Sequence, residues 1–487
     1  MLDNFIKYEE LRKKYKTFIY ENYKVIKNAE EIILEYHFII EGLTEFRPRI
    51  VIPKKQYIIE ENIEFSDVFA FHIGMVELIS YWKATCSPKV IIKCGNLNNE
   101  QKEWFKKLYY YGLGELFFTN GIKNTYGDFL TFEDYNANKT RENINETFEI
   151  SKNNMINGEI KTNQLEDISK LINLKQKNFE GYIFPIGGGK DSCVTIEILK
   201  DLKTKNYCLI VNPKSVTLSC AEIAGYGDNE IIVVNRKIDK NLIDLNSQGF
   251  INGHTPFSSL LAFITYYMAF LTGKKYIALS NEVSSNESNV LGEKINHQYS
   301  KSIEFENDFR FYIKKYIETP IEYFSFLRPL NELQIASIFS RLEKYHNIFK
   351  SCNVGSKEKE WKWCCNCPKC MFVYIILSPF LYKEKLVNIF GEDLFEKKEL
   401  LNTFIELTGN GETKPFECVG TFEEVCFAIT KLIVELENNG EKLPYMLEYY
   451  KINFKMSDLS NNILSYYNTD NNLTDEQNEI LRNNLEN

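Results

Sequence analysis

Tyr182-Ile183-Phe184-Pro185-Ile186-Gly187-Gly188-Gly189-Lys190-Asp191-Ser192-Cys193-Val194 is the stretch on which the reading of the chain turns. Residues 182–186 are a short apolar run, three glycines follow, and from Asp191 to Leu199 apolar positions recur at helical spacing. The pattern predicts a strand, a glycine loop and a helix. Glycines let the backbone approach an anion closely and take positive φ, while unpaired N–H groups at a helix start attract negative charge. The loop is therefore a candidate phosphate or pyrophosphate site. It departs from GxxxxGK[ST], because Asp191 follows Lys190, and from GxGxxG. The competing reading is an ordinary strand–helix turn.

Downstream of about residue 162, apolar runs at Tyr182–Ile186, Tyr207–Val211, Glu230–Val234 and Tyr276–Ser280 alternate with longer segments. That spacing predicts a parallel α/β sheet with ligands beyond the carboxyl ends of its strands. The polar group Ser280-Asn281-Glu282-Val283-Ser284-Ser285-Asn286-Glu287-Ser288-Asn289 follows the last run. It is a candidate for Mg2+ or substrate contacts, against an Asn/Ser-rich surface loop. Past Leu330 the pattern turns helical, over Ser337–Phe349, Met371–Phe380 and Phe422–Glu437, and ends in a polar tail whose last residues are expected to be loosely ordered.

Upstream, the pattern predicts a separate α+β unit. Strands are expected at Glu31–Gly42, Arg49–Pro53, Gln56–Glu60 and Pro88–Lys93, and helices over Phe69–Lys83 and Asn99–Tyr110. On the first of these helices Glu77 is expected at the surface and Lys83 snorkelling. Residues 136–161, rich in Asn, Lys, Glu and Thr, read as a linker. The expected organisation is α/β: an α+β domain over 1–160, a nucleotide-binding parallel-sheet domain over 161–335, a helical region with a cysteine cluster over 336–450 and a polar tail over 451–487.

The chain has 487 residues, enough for two or three domains at ~150 residues each. A net charge of −9 without a long basic block argues against a nucleic-acid partner. The first residues lack an export pattern, and the most apolar window, Phe257–Thr272, is short and interrupted by polar side chains, so a buried helix, no membrane partner and a cytoplasmic location are expected. Twelve cysteines in such a chain predict reduced thiols, metal ligation or catalysis.

Cys352, Cys364, Cys367 and Cys370 have the spacing of a four-thiolate Zn2+ site, with Cys365 left over or exchanging with Cys364. An iron–sulfur cluster and buried thiols without metal are the rivals. His254 and His297 are proton carriers or structural histidines, and Cys418 in the polar loop near Pro415 is a candidate acid or base.

The glycine loop resembles the SGGxDS loop of the PP-loop ATP pyrophosphatases, with Gly187 where serine is usual. Further strings extend the resemblance: Ser280-Asn281-Glu282, His297-Gln298-Tyr299-Ser300-Lys301-Ser302, Phe324-Ser325-Phe326-Leu327-Arg328-Pro329-Leu330, Trp363-Cys364-Cys365-Asn366-Cys367-Pro368-Lys369-Cys370 and Lys414-Pro415-Phe416-Glu417-Cys418-Val419-Gly420-Thr421. With Phe71-His72-Ile73-Gly74 and Ser80-Tyr81-Trp82-Lys83-Ala84-Thr85-Cys86-Ser87-Pro88, they resemble the UDP-N-acetyl-α-D-muramoyl-L-alanyl-L-glutamate epimerase (MurL) family across roughly residues 30 to 430.

The resemblance implies a PP-loop (adenine nucleotide alpha hydrolase-like) domain. It also implies that the terminal L-glutamate of UDP-MurNAc-L-Ala-L-Glu is inverted with ATP and Mg2+, through an acyl-adenylate, for peptidoglycan precursor synthesis. On that reading Gly187, Gly188, Gly189, Lys190, Asp191 and Ser192 hold ATP and Asp191 meets Mg2+. Lys301 and Arg328 bind substrate phosphate or carboxylate. Lys190, Asp191, Glu282, His297 and Cys418 are the catalytic candidates. The proton-transfer pair stays open among Cys418, His297, His254, Glu282 and Cys365, and the oligomeric state is open. Similarly spaced cysteines in deazaguanine-nitrile synthases favour zinc. The rivals are an adenylating amide-, nitrile- or thiolation-forming enzyme and a non-catalytic zinc-stabilised nucleotide-binding scaffold.

Overall fold

The computed structural model describes residues 2–135, 178–202, 205–290, 295–358, 361–411, 413–460 and 463–486. The linker expected over 136–161, and with it the boundary near residue 160, lies outside the described residues. The chain is mixed α/β and divides into two compact units. One comprises Met1–Glu180, Asn235–Lys275 and Asp308–Glu322, and the other Gly181–Val234, Tyr276–Asn307 and Tyr323–Asn487. This division is not the serial order anticipated from the sequence. The helix Phe257–Thr272, apolar nearly all round, belongs to the first unit, where Phe69 stacks on Tyr267 with ring centroids 5.0 Å apart and meets Phe270 at 4.8 Å.

In the first unit, β1 (Thr17–Lys27), β2 (Glu31–Ile40), β3 (Thr44–Phe46), β4 (Arg49–Pro53), β5 (Lys89–Ile92) and β6 (Thr131–Asp134) form a mixed sheet in the order β4-β2-β1-β5-β6, with β3 also on β2. Alternate residues of β2, Ile32, Leu34, Tyr36, Phe38 and Ile40, are all completely buried, as the period of two in a half-buried strand requires. The strand expected at Gln56–Glu60 is instead a turn running into the 3-10 helix Glu60–Phe65. Tyr57 and Ile58 are both buried, which neighbours on a one-sided strand are not, and the Ile58 N–H closes back on the Lys55 carbonyl at 3.0 Å.

Two further expectations are corrected here. Glu77 is completely buried, because Arg236 neutralises it with Nε at 2.8 Å and Nη2 at 3.0 Å. Lys83 is buried too, its Nζ donating to Asn252 Oδ1 and the Gly253 carbonyl, each at 2.8 Å. Compensated charges of this kind tolerate burial.

In the second unit, β7 (Tyr182–Pro185), β8 (Tyr207–Val211), β9 (Ile231–Lys237, of which residues 231–234 belong here), β10 (Tyr276–Leu279) and β11 (Glu322–Ser325, of which residues 323–325 belong here) follow the order β11-β10-β7-β8-β9. The pairs β10–β7, β7–β8 and β8–β9 are parallel. The helices Lys190–Leu199 and Ser215–Ile223 follow β7 and β8. The helix expected at Ser337–Phe349 starts earlier, at Glu332, where Asn331 and Gln334 form a capping box; it ends at Ser340 and a separate short helix, Glu343–His346, follows. The described part of the tail is ordered rather than loose. Thr474 and Gln477 cap the helix Asp475–Glu486, Leu481 is fully buried, and Gln477 Nε2 donates to Tyr182 Oη at 3.1 Å. No helix among the described residues is long and apolar enough to cross a membrane.

Candidate active site

The candidate site lies in the second unit, where the strand, glycine loop and helix form as expected. Gly188 has φ of +80°, and a Cβ there would stand 3.0 Å from Val216 Cγ1, so both conformation and space demand glycine. Gly187 is open: apart from its two chain neighbours, no described residue has an atom within 4 Å of the place a Cβ would take. Gly189 caps the helix Lys190–Leu199, and Ser192 Oγ donates to the Gly189 carbonyl at 2.9 Å. The loop is gripped from the far side by the Lys350 N–H, 2.9 Å from the Gly188 carbonyl.

At the start of this helix, Lys190 is buried and ion-paired with both Asp191 and Glu332. Asp191, Glu282 and Glu332 each present an oxygen, all within 4.8 Å of one another. Burial alone would raise the Asp191 carboxyl, but Lys190, Lys369 and Lys301 hold it below the usual range. Burial pushes Glu332 up to about 8, Lys190 opposes this, and the neighbouring charges of Asp191 and Glu282 add to it. Burial and then Asp191 also raise Glu282. Three converging carboxylate oxygens are the hard donor set that Mg2+ takes, and a cation there would relieve their mutual repulsion, so the residues fit the metal that the resemblance implies.

Backbone ties shape the site. Glu424 Oε1 accepts from the Glu332 N–H at 2.7 Å and from Ser284 Oγ at 2.6 Å, joining two carboxylate-bearing segments. Gly420 is required beside it, since a Cβ would come within 2.6 Å of Glu424 Oε2 and 3.1 Å of Glu332 Cγ. Asn289 binds the His297 N–H through Oδ1 at 2.8 Å and the Pro415 carbonyl through Nδ2 at 3.0 Å, bringing His297 alongside the loop that bears Cys418. There Lys301 Nζ lies 3.0 Å from Cys418 Sγ, and the His297 side chain is a second hydrogen-bond partner of the thiol, in a residue that keeps part of its surface exposed. Lys369 donates to the Cys418 carbonyl.

The sulfurs of Cys352, Cys364, Cys367 and Cys370 gather within 4.8 Å of one another, with separations of 3.8 Å for 352–367, 3.7 Å for 364–370 and 3.5 Å for 367–370. Thiolates about 2.3 Å from a tetrahedral zinc stand about 3.8 Å apart, so the donor set fits Zn2+. Cys365 stays outside. Its φ of +51° turns the thiol away, to donate to the Phe390 carbonyl at 3.1 Å.

The structure thus brings together Lys190, Asp191, Glu282, Lys301, His297 and Cys418. Contrary to the expectation that Arg328 binds substrate, the structure does not leave that cation free. Arg328 is completely buried, with Nη1 donating to the Glu282 carbonyl at 2.7 Å and to Ser285 Oγ at 2.8 Å, and Nη2 pairing with Glu306 at 3.2 Å. It braces the backbone that carries Glu282. His254 belongs to the first unit, its Nδ1 3.6 Å from Glu115 Oε2. Sequence reasoning does not single out Glu332, Glu424 or Lys369. Lys369 sits between two ligand-spaced cysteines, and the acids sit in the sequences of helix starts, which read as caps.

Two family models match the chain, the MurL N-terminal domain over residues 9–326 and the MurL C-terminal domain over residues 348–448. Similar proteins include the UDP-N-acetyl-alpha-D-muramoyl-L-alanyl-L-glutamate epimerase of Micromonospora sp., 37% identical over 251 residues, which are 51% of this chain and 56% of that protein. The protein of the same description from Salinispora tropica is 37% identical over 251 residues, 51% of this chain and 54% of its own length. That from Xanthomonas oryzae pv. oryzae is 29% identical over 375 residues, 75% of this chain and 74% of its own. The chain spans little more than half the length of the first two.

Proposed function

Because this chain belongs to the MurL family, we propose that it is an ATP-dependent epimerase. Its reaction converts the terminal L-glutamate of UDP-MurNAc-L-Ala-L-Glu to D-glutamate, in the cytoplasm, for peptidoglycan precursor synthesis. The observation that carries the reading is the convergence of Asp191, Glu282 and Glu332 at the start of the helix that the glycine loop feeds.

The chemistry explains why a nucleotide is needed. A free carboxylate resists loss of the neighbouring Cα proton, because the new negative charge would build beside an existing one. Joining that carboxylate to AMP removes its charge and makes the proton more acidic. The proton is then taken from one face and a proton is returned to the other, and water releases AMP. In this reading the fold is of the PP-loop type. The loop N–H groups and the helix start take the pyrophosphate portion of ATP. Lys190, fixed by Asp191 and Glu332, holds positive charge beside it. Asp191, Glu282 and Glu332 would hold Mg2+, which neutralises phosphate charge when bound. Cys352, Cys364, Cys367 and Cys370 would hold a structural Zn2+ that orders the segment on which Lys369 reaches Cys418.

Incubating the full chain with the muramoyl dipeptide, ATP and Mg2+ in D2O tests this. The expected products are AMP, pyrophosphate and D-glutamate carrying deuterium at Cα. AMP with unchanged stereochemistry would instead support an amide-, nitrile- or thiolation-forming relative, and no ATP turnover would support a scaffold.

A further inference from the structure

We propose that Cys418 Sγ, 3.0 Å from Lys301 Nζ and partnered by His297, is the group that takes the Cα proton from the activated glutamate. The inference rests on the epimerase reading.

Three observations support it. Cys418 as a residue keeps part of its surface exposed, whereas Glu282 and Glu332 are buried and their carboxylates engaged with cations. Lys301 interacts electrostatically with Cys418, Glu282 and Asp191, so one cation links the thiol to the carboxylates at the glycine loop. Burial would raise the Cys418 thiol, but Lys301, then His297 and Lys369, outweigh it and hold the thiol well below its ordinary range. A thiolate at neutral pH has no second acidic proton to lose and is a soft, weakly hydrated base suited to a carbon acid.

In the step, the Cα–H bond breaks and an S–H bond forms at Cys418. The electron pair of the C–H bond passes into an enolate on the adenylated carbonyl. A proton from solvent water adds to the opposite face, and water then cleaves the acyl-adenylate to the D-product and AMP. Cys418 returns its proton to solvent. Lys301 and His297 are positioning residues that set the charge state of the thiol.

The test uses the full chain. Wild type should show dipeptide-dependent ATP–pyrophosphate exchange. If it shows none, the epimerase reading fails, and the assignment with it. Cys418→Ala should keep that exchange while D-glutamate formation and deuterium uptake at Cα fall by about 10²–10⁴-fold. Epimerisation near the wild-type rate in this variant overturns the assignment alone, as does loss of exchange together with epimerisation. An independent readout on wild type is iodoacetamide labelling followed by peptide mass spectrometry. Cys418 should label at pH 6 ahead of the buried thiols and be protected by the dipeptide. Lys301→Met should move the labelling profile to higher pH against the background of His297, Lys369 and Glu417, the other titratable groups facing the thiol. Absence of labelling at pH 6, or an unshifted profile in the variant, overturns the proposal.

Discussion

Lys190 and Glu332, 142 positions apart in the chain, meet as an ion pair with both side chains almost wholly removed from solvent. Replacing the acid by its neutral isostere, Glu332→Gln, leaves Lys190 facing Asp191 alone. Burial and the charges of Asp191 and Glu282 push Glu332 up to about 8, so near pH 7 the acid already stands largely neutral against Lys190, and the variant should unfold in urea at close to the wild-type midpoint there. Pyrophosphate exchange should fall by about 10²-fold or more, as when a charge-organising group leaves an active site.

Neighbouring glycines of the loop should respond in opposite ways to added side chains. Gly188→Ala forces a Cβ onto a φ of +80° and to within 3.0 Å of Val216, a strain of about 1–2 kcal/mol before any repacking. ATP binding measured by calorimetry should weaken by 10-fold or more. Gly187→Ser enters open space and should bind ATP at least as well as wild type.

Adjacent cysteines should likewise separate by metal content. Cys364→Ser removes a sulfur 3.7 Å from Cys370, whereas Cys365→Ser removes one committed to the Phe390 carbonyl. Elemental analysis should find about one zinc per chain in wild type and in Cys365→Ser, and a loss of zinc in Cys364→Ser.

What is legible in the chain follows from the range of the interactions. The glycine loop and the cysteine spacing are local signals, and both stand in the structure where the sequence puts them. Whether Cys364 or Cys365 joins the cluster depends on one backbone dihedral, which spacing does not encode. Glu332 follows the capping residue Asn331 as an ordinary first-turn acid, and nothing near it in sequence announces Lys190. Arg328 looks like a free cation because its acceptors are two backbone carbonyls, the hydroxyls of Ser285 and Ser325, and Glu306, 22 positions away. Glu77 and Lys83 look superficial for the same reason, since Arg236 and Asn252 lie far along the chain.

Acid sensitivity should trace in part to His72. Its ring is buried among Phe71, Phe263 and Tyr312, Nδ1 lies 2.7 Å from the Val68 carbonyl, and Nε2 has no hydrogen-bond partner among the described residues. Burial lowers its proton affinity to about 4, with the Val68 carbonyl opposing weakly. An unfolded histidine titrates near ~6.5, so between that pH and about 4 the unfolded chain binds a proton that the folded chain refuses. Stability from this group is therefore complete above pH ~6.5 and declines as the pH falls towards 4, by about 3 kcal/mol in all. Urea unfolding at pH 7.5 and 4.5 should show a steeper loss for wild type than for His72→Gln, the difference approaching that amount. Hydrogen exchange in the helix Ser66–Glu77 should accelerate with acid in wild type more than in the variant. Equal pH slopes for the two proteins would mean that the buried ring gains its proton without opening the fold.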